Sequence, residues 1–79
     1  MKTFNLIKTK AGERKGTLVS TFIGENANDA KMLSEVKSYL TTWLNSYTNI
    51  SDEEVSELFE NFDGNFSYDV WNFTLEIEA

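Results

Sequence analysis

Hydrophobic and polar positions alternate at both ends of the chain and follow a helical period in its middle. From Thr3 to Lys10, Phe4 and Leu6 fall on one parity and Thr3, Asn5, Ile7 and Thr9 on the other, which is the period of a strand. Ala11–Gly16 has a glycine near each end and charge between them, and reads as a loop. Thr17–Ile23 is rich in β-branched residues (Thr17, Val19, Thr21, Ile23) and forms a second strand, which Gly24 ends. The short separation predicts a hairpin.

After Gly24 the period changes. Asn26 or Asn28 is placed to cap a helix, and with Asn26 at the cap Asp29 falls near the positive end of the helix dipole. Leu33, Val36, Leu40, Trp43 and Tyr47 follow at alternating steps of three and four, and Leu44 widens the stripe. This predicts an amphipathic helix over roughly 27–47. Ser51-Asp52-Glu53-Glu54 is a capping box, in which the Ser51 hydroxyl accepts from the Glu54 N–H and the Glu54 carboxylate can reach back. Ile50 and Val55 form a hydrophobic staple around it. Val55, Leu58, Phe59 and Phe62 give the stripe of a second helix, ended by Asp63-Gly64.

Asn65–Glu78 is extended. Trp71, Phe73, Leu75 and Ile77 alternate with Asn72, Thr74, Glu76 and Glu78, the signature of a half-buried strand. Upstream, Phe66, Tyr68 and Val70 alternate in the opposite phase, so a β-bulge or a break between two extended segments lies at Val70-Trp71. The order β-β-α-α-β defines an α+β fold, a single two-layer domain over residues 1–79. A three-stranded, mostly antiparallel sheet would carry two helices on one face. The last strand would run antiparallel to the second strand or parallel to the first. Apolar residues occupy both parities: Phe4, Leu6, Leu18 and Phe22 on one, Ile7, Val19 and Ile23 on the other. Phe66, Tyr68 and Val70 are expected to emerge away from the helices. The uncovered apolar surface makes a homo-oligomeric assembly subunit the alternative function.

Charge sharpens this picture more than composition does. The chain of 79 residues holds 7 basic and 13 acidic residues, a net charge of −6, and is long enough for one core. All seven basic residues precede Ser38; beyond it stand nine acids and no base, so the first 37 residues carry +3 and the rest −9. The absence of Cys and His removes thiol nucleophiles, disulfides, Cys/His zinc sites and Ser-His or Cys-His pairs, so the expectation is a non-enzyme with no catalytic residue, no metal site and no cofactor. The segment Asp63–Asp69 spaces oxygen side chains as a calcium loop begins, but Tyr68 and Thr74 stand where such a loop needs Gly and Glu. Gly12 and Gly16 flank Arg14 and Lys15 between two strands, which is not a phosphate loop. The N-terminus has no apolar core of a signal peptide and no run is long enough to span a membrane, so a cytoplasmic location is the default expectation.

The acidic residues nominate a surface. Glu53, Glu57 and Glu60 fall on one helical face, and Asp52, Asp63 and Asp69 extend the charge to the helix start and the following turn. Like charges at this spacing oppose helix formation slightly, so helix stability is not their reason. A field of one sign accelerates association with a basic partner. Nucleic-acid-binding enzymes have grooves already lined with Lys and Arg and are the natural class, whereas direct nucleic-acid binding is opposed by the net charge and no membrane partner is expected. Tyr47, Phe62 and Tyr68 are the aromatic anchors such a surface would use. Ordinary acidic solubility is the competing explanation.

The run Ser51–Glu60 and the strand Trp71–Glu78, in a chain of this size and charge, resemble the small acidic proteins with which phages and mobile elements block host nucleic-acid machinery. Anti-CRISPR inhibitors and nuclease immunity proteins are of this type. The likeness covers size, charge and layout over the whole chain and carries no residue roles across. It implies an inhibitor that acts in the host cytoplasm by nucleic-acid mimicry.

Overall fold

In a computed structural model that describes residues 1–78, the opening hairpin forms as its alternation requires. Strands β1 (Lys2–Lys10) and β2 (Thr17–Gly24) pair antiparallel, with Phe4 opposite Phe22 and Leu6 opposite Ser20. The register then shifts, so that Ile7 faces Leu18 and Val19 is the extra, bulged residue. The bulge breaks the expected parity: Leu18 joins Ile7 on the far face and is exposed, while Val19 packs against the core.

Helix α1 (Ala30–Tyr47) starts later than expected, because Asp29 rather than Asn26 or Asn28 caps it. One Asp29 carboxylate oxygen accepts the Met32 N–H at 3.1 Å and the other the Glu25 N–H at 2.9 Å. A carboxylate that takes two amide donors outcompetes a neutral amide side chain for this position. Those donors, Glu25 first, hold its pKa below the ordinary carboxylate value. Asn26 instead accepts the Asn28 N–H at 2.8 Å and shapes the turn before the helix. The buried residues of α1 are Met32, Val36, Leu40 and Leu44, at uniform steps of four. Such a row is inclined to the helix axis, so α1 crosses the sheet obliquely and Leu33 and Trp43 become flanks of the stripe while Tyr47 stays exposed. Gly24 allows the close approach, since a Cβ there would sit 2.8 Å from the Met32 sulfur.

Helix α2 (Asp52–Leu58) begins at the expected cap, where the Ser51 hydroxyl accepts the Glu54 N–H at 3.2 Å. Val55 is buried and Ile50 packs beside the core, as the staple requires. The helix is shorter than its pattern suggests. It ends at Leu58, and turns stabilised by Glu60 N–H to Glu57 O and Phe62 N–H to Phe59 O carry the chain to Asp63. The shortened helix buries Val55, and Phe59 just past it is buried too, but Leu58 is left outside the stripe, 40% exposed.

The phase switch near Val70 is the break, not the bulge. Strand β3 (Asn65–Tyr68) and strand β4 (Trp71–Ile77) form a hairpin around Asp69-Val70, with Asp69 at φ 56°. Tyr68 lies opposite Trp71 and Phe66 opposite Phe73. Directly opposed residues share a face, so Phe66 and Tyr68 turn inward with Trp71 and Phe73 rather than emerging elsewhere. Only Val70, at the turn, stays exposed. The sheet therefore has four strands, not three, in the order β2-β1-β4-β3, all antiparallel. β3 runs in the direction expected of the last strand; the extra turn reverses β4, which pairs antiparallel with β1, Leu6 opposite Leu75.

Both helices cover one face of this sheet. Phe73, 1% exposed, meets Trp43 of α1 edge-on at 4.8 Å between ring centres and Phe66 at 6.1 Å, and Phe66 meets Phe59 at 4.8 Å. The other face is mostly polar. Asn5 lies between Thr21 and Glu76, and Asn72 between Thr9 and Ser67. Its apolar positions in β1 and β2 are the pair Ile7 and Leu18, and Ile23 opposite Thr3.

Burial sets the cost of trimming each helix. Leu40→Ala, at 0% exposure, should lower unfolding free energy by about 2–5 kcal/mol. Leu58→Ala should stay within about 0.5 kcal/mol of the parent. Denaturant unfolding of both variants checks this, and an equal loss in the two would contradict the early end of α2.

Candidate functional site

The acidic surface is built by the way α2 meets the core. Of its seven residues only Val55 is buried, so Asp52, Glu53, Glu54 and Glu57 all face water. Three of these acids occupy the first turn, where the exposed amides favour negative charge. Phe59, just past the helix, seats this segment on Phe66 of the edge strand β3. The carboxylates therefore stand exposed on a segment that rests on β3. Glu60 is also exposed but lies in the turn after α2 rather than on its face. Asp63 is exposed and accepts the Asn65 N–H at 3.1 Å, which sets the turn into β3 next to Gly64 at φ 105°. Among the described residues, no group of three or more Asp or Glu side chains converges to hold a metal ion.

A second group forms where α1 ends above the β3–β4 turn. The Tyr47 hydroxyl donates to Asp69 Oδ2 at 2.5 Å. Its ring stacks on Trp43 at 4.8 Å and 12°, and meets Tyr68 edge-on at 6.3 Å. Tyr47 is 43% exposed and Tyr68 half-buried, so both present ring surface to solvent. The hydrogen bond to the Asp69 carboxylate, and then desolvation, push the Tyr47 pKa above the usual tyrosine value. Of the residues nominated from sequence, Tyr47, Tyr68 and Asp69 are thus brought into contact. Phe62 is half-buried edge-on to Phe59 at 5.6 Å and serves mainly to close the core.

Four residues of this end were not nominated: Trp43, Trp71, Lys8 and Lys10. The Lys8 ammonium lies 4.7 Å and that of Lys10 5.9 Å from the centre of the Trp71 ring. Lys8 and Lys10 share the parity of Phe4 and Leu6, so their inward direction was legible in β1. Their partner was not, because the pairing of β1 with β4 depends on the unrecognised turn. The +3 and −9 parts of the chain lie side by side in the sheet, β2 and β1 from the first and β4 and β3 from the second, and meet at the β1–β4 pair.

No protein-family model, curated protein or solved structure matches the chain. Among the described residues no helix is long and apolar enough to cross a membrane.

The Tyr47–Asp69 contact has a pH signature. A raised pKa means that the folded state favours the neutral phenol, so this stabilisation is complete below the usual tyrosine range and is lost as pH rises through the folded pKa of Tyr47. Tyr47→Phe should remove a late step from the tyrosinate absorbance titration and flatten the alkaline fall in melting temperature. An unchanged titration curve in the variant would contradict the contact.

Proposed function

We propose that this protein is a non-enzymatic, acidic protein-binding module that acts as an inhibitor. The face formed by Asp52, Glu53 and Glu57 of α2, continued by Glu60 in the turn after it and by Asp63 and Asp69, docks into a basic groove of a protein that otherwise holds nucleic acid there. Tyr47 and Tyr68 supply aromatic contacts at one end of that face, and Phe62 supports it from the core. The observation that carries this reading is the exposure of all six carboxylates, three of them on α2, where Val55 alone of seven residues is buried. A helix used only for packing would show the reverse balance. The absence of any base beyond residue 37 in sequence leaves the field of this half unneutralised by its own residues. Occlusion of the groove requires no chemistry, in keeping with a chain that has neither Cys nor His.

Self-association through an apolar sheet face, the alternative from sequence, gains less from the structure. The uncovered face is dominated by Thr, Asn, Ser and Glu, and Ile23 is separated from the Ile7–Leu18 pair by the Asn5–Thr21 pair.

The test is affinity for a basic partner recovered from the host. Glu53, Glu57 and Glu60 changed together to Gln should weaken binding by about tenfold or more at low salt and reduce its dependence on ionic strength. Nucleic acid should compete with the parent protein for that partner. Unchanged affinity and salt slope in the triple variant would overturn the acidic-face reading.

A further inference from the structure

The opposite edge of the sheet carries a different surface. β2 is an edge strand of eight residues, Thr17–Gly24, with no charged side chain and no proline. Edges of this length are normally guarded by inward charge, proline or distortion. Here the one distortion is the bulge at Val19, which leaves Ser20–Gly24 regular beyond it. β3, the other edge, is only four residues long.

Beside this regular segment runs an open groove lined by Met1, Thr21, Phe22 and Ile23 of the sheet side, by the capping Asp29, and by Lys31 and Glu35 of α1. Ile23 is 60% exposed. Two contacts fix the height of β2 against α1. Gly24 lies under Met32 and Asp29, and Phe22 meets Tyr39 edge-on at 6.4 Å. Between these contacts the groove sets Phe22 beside Lys31 and Glu35, which are one helical turn apart and opposite in charge.

We propose that β2 pairs antiparallel with β2 of a second copy of this chain, about a two-fold axis at Phe22. Such a pairing joins two four-stranded sheets into one of eight strands and satisfies the free edge of Ser20–Gly24 in both copies. It sets Thr21 of one copy opposite Ile23 of the other, which covers the exposed isoleucine. It also brings the two α1 helices past each other antiparallel, with Lys31 of each copy facing Glu35 of the other. This self-complementarity selects a second copy over a foreign strand, because a symmetric contact must match a patch to itself. The strand order β2-β1-β4-β3 keeps the acidic segments at the two outer edges of the joined sheet, so their mutual repulsion is small and both remain free. The dimer is independent of the groove-docking proposal and would present two acidic faces at once.

Sedimentation equilibrium over the micromolar range tests this, with circular dichroism as the check that each variant folds. The parent should dimerise reversibly. Ile23→Lys, which places a guard on the edge, should weaken the dimer by about tenfold or more. Lys31→Glu and Glu35→Lys should each weaken it by roughly threefold to tenfold, and the double exchange should return to within about threefold of the parent, since the exposed pairs are re-formed with reversed sign. A parent that stays monomeric at high micromolar concentration would overturn the proposal. So would a dimer indifferent to Ile23→Lys, or a double exchange as weak as the single changes combined.

Discussion

The fold turns on one buried ring. Phe73 sits at the centre of β4, the strand that joins the opening hairpin to the closing one, and it is the point where α1 and β3 meet. Through Phe66 it reaches Phe59 and so holds the short α2, whose seven residues are far too few to be helical alone. A chain this small has one chance to bury enough apolar surface. It does so by threading aromatic rings from Trp43 through Phe73 and Phe66 to Phe59, across elements distant in sequence. The capping of α2 by Ser51 and the staple of Ile50 with Val55 set where that helix starts, but Phe59 sets where it rests.

This arrangement divides the surface into distinct regions. Because α2 rests on the β3 edge by one side, its carboxylates are displayed rather than folded in. Because α1 crosses the sheet obliquely, its last turns stand over the β3–β4 turn and bring Tyr47 to Asp69, while its first turns stand beside β2 and bring Lys31 and Glu35 to an unguarded strand edge. The sheet's remaining face is mostly polar, with Leu18 and Ile23 exposed on it. The acidic edge and the charge-free edge are thus separated by the full width of the sheet.

Much of this was legible in the chain. The α+β class, both helices, the opening hairpin, the Ser51 cap and the apolar face of the last strand follow from period and capping chemistry. What the sequence concealed were local reversals. Asp69-Val70 contains no glycine, and an aspartate at positive φ gives a turn without the usual signature, so a hairpin looked like a phase slip. That one turn decided the number of strands, the direction of β4 and the side on which Phe66 and Tyr68 lie. The bulge at Val19 moved Leu18 outward for the same kind of reason: parity in one strand is set by its partner's register. The acidic residues of the site could be read because exposure of charge is the default. The contacts of Tyr47 with Asp69, and of Trp71 with Lys8 and Lys10, could not, since they depend on which strands are neighbours.

The central claim is that the acidic segment and the closing hairpin are held by the same ring that holds α1. Hydrogen exchange on Phe73→Leu tests it most directly, because leucine keeps the site apolar but removes the ring contacts with Trp43 and Phe66. Protection should fall together in α1, in β1, across β3–β4 and at the Val55 and Phe59 amides of the α2 segment, as one cooperative unit. Loss of protection confined to β4, with the Val55 and Phe59 amides unaffected, would contradict it.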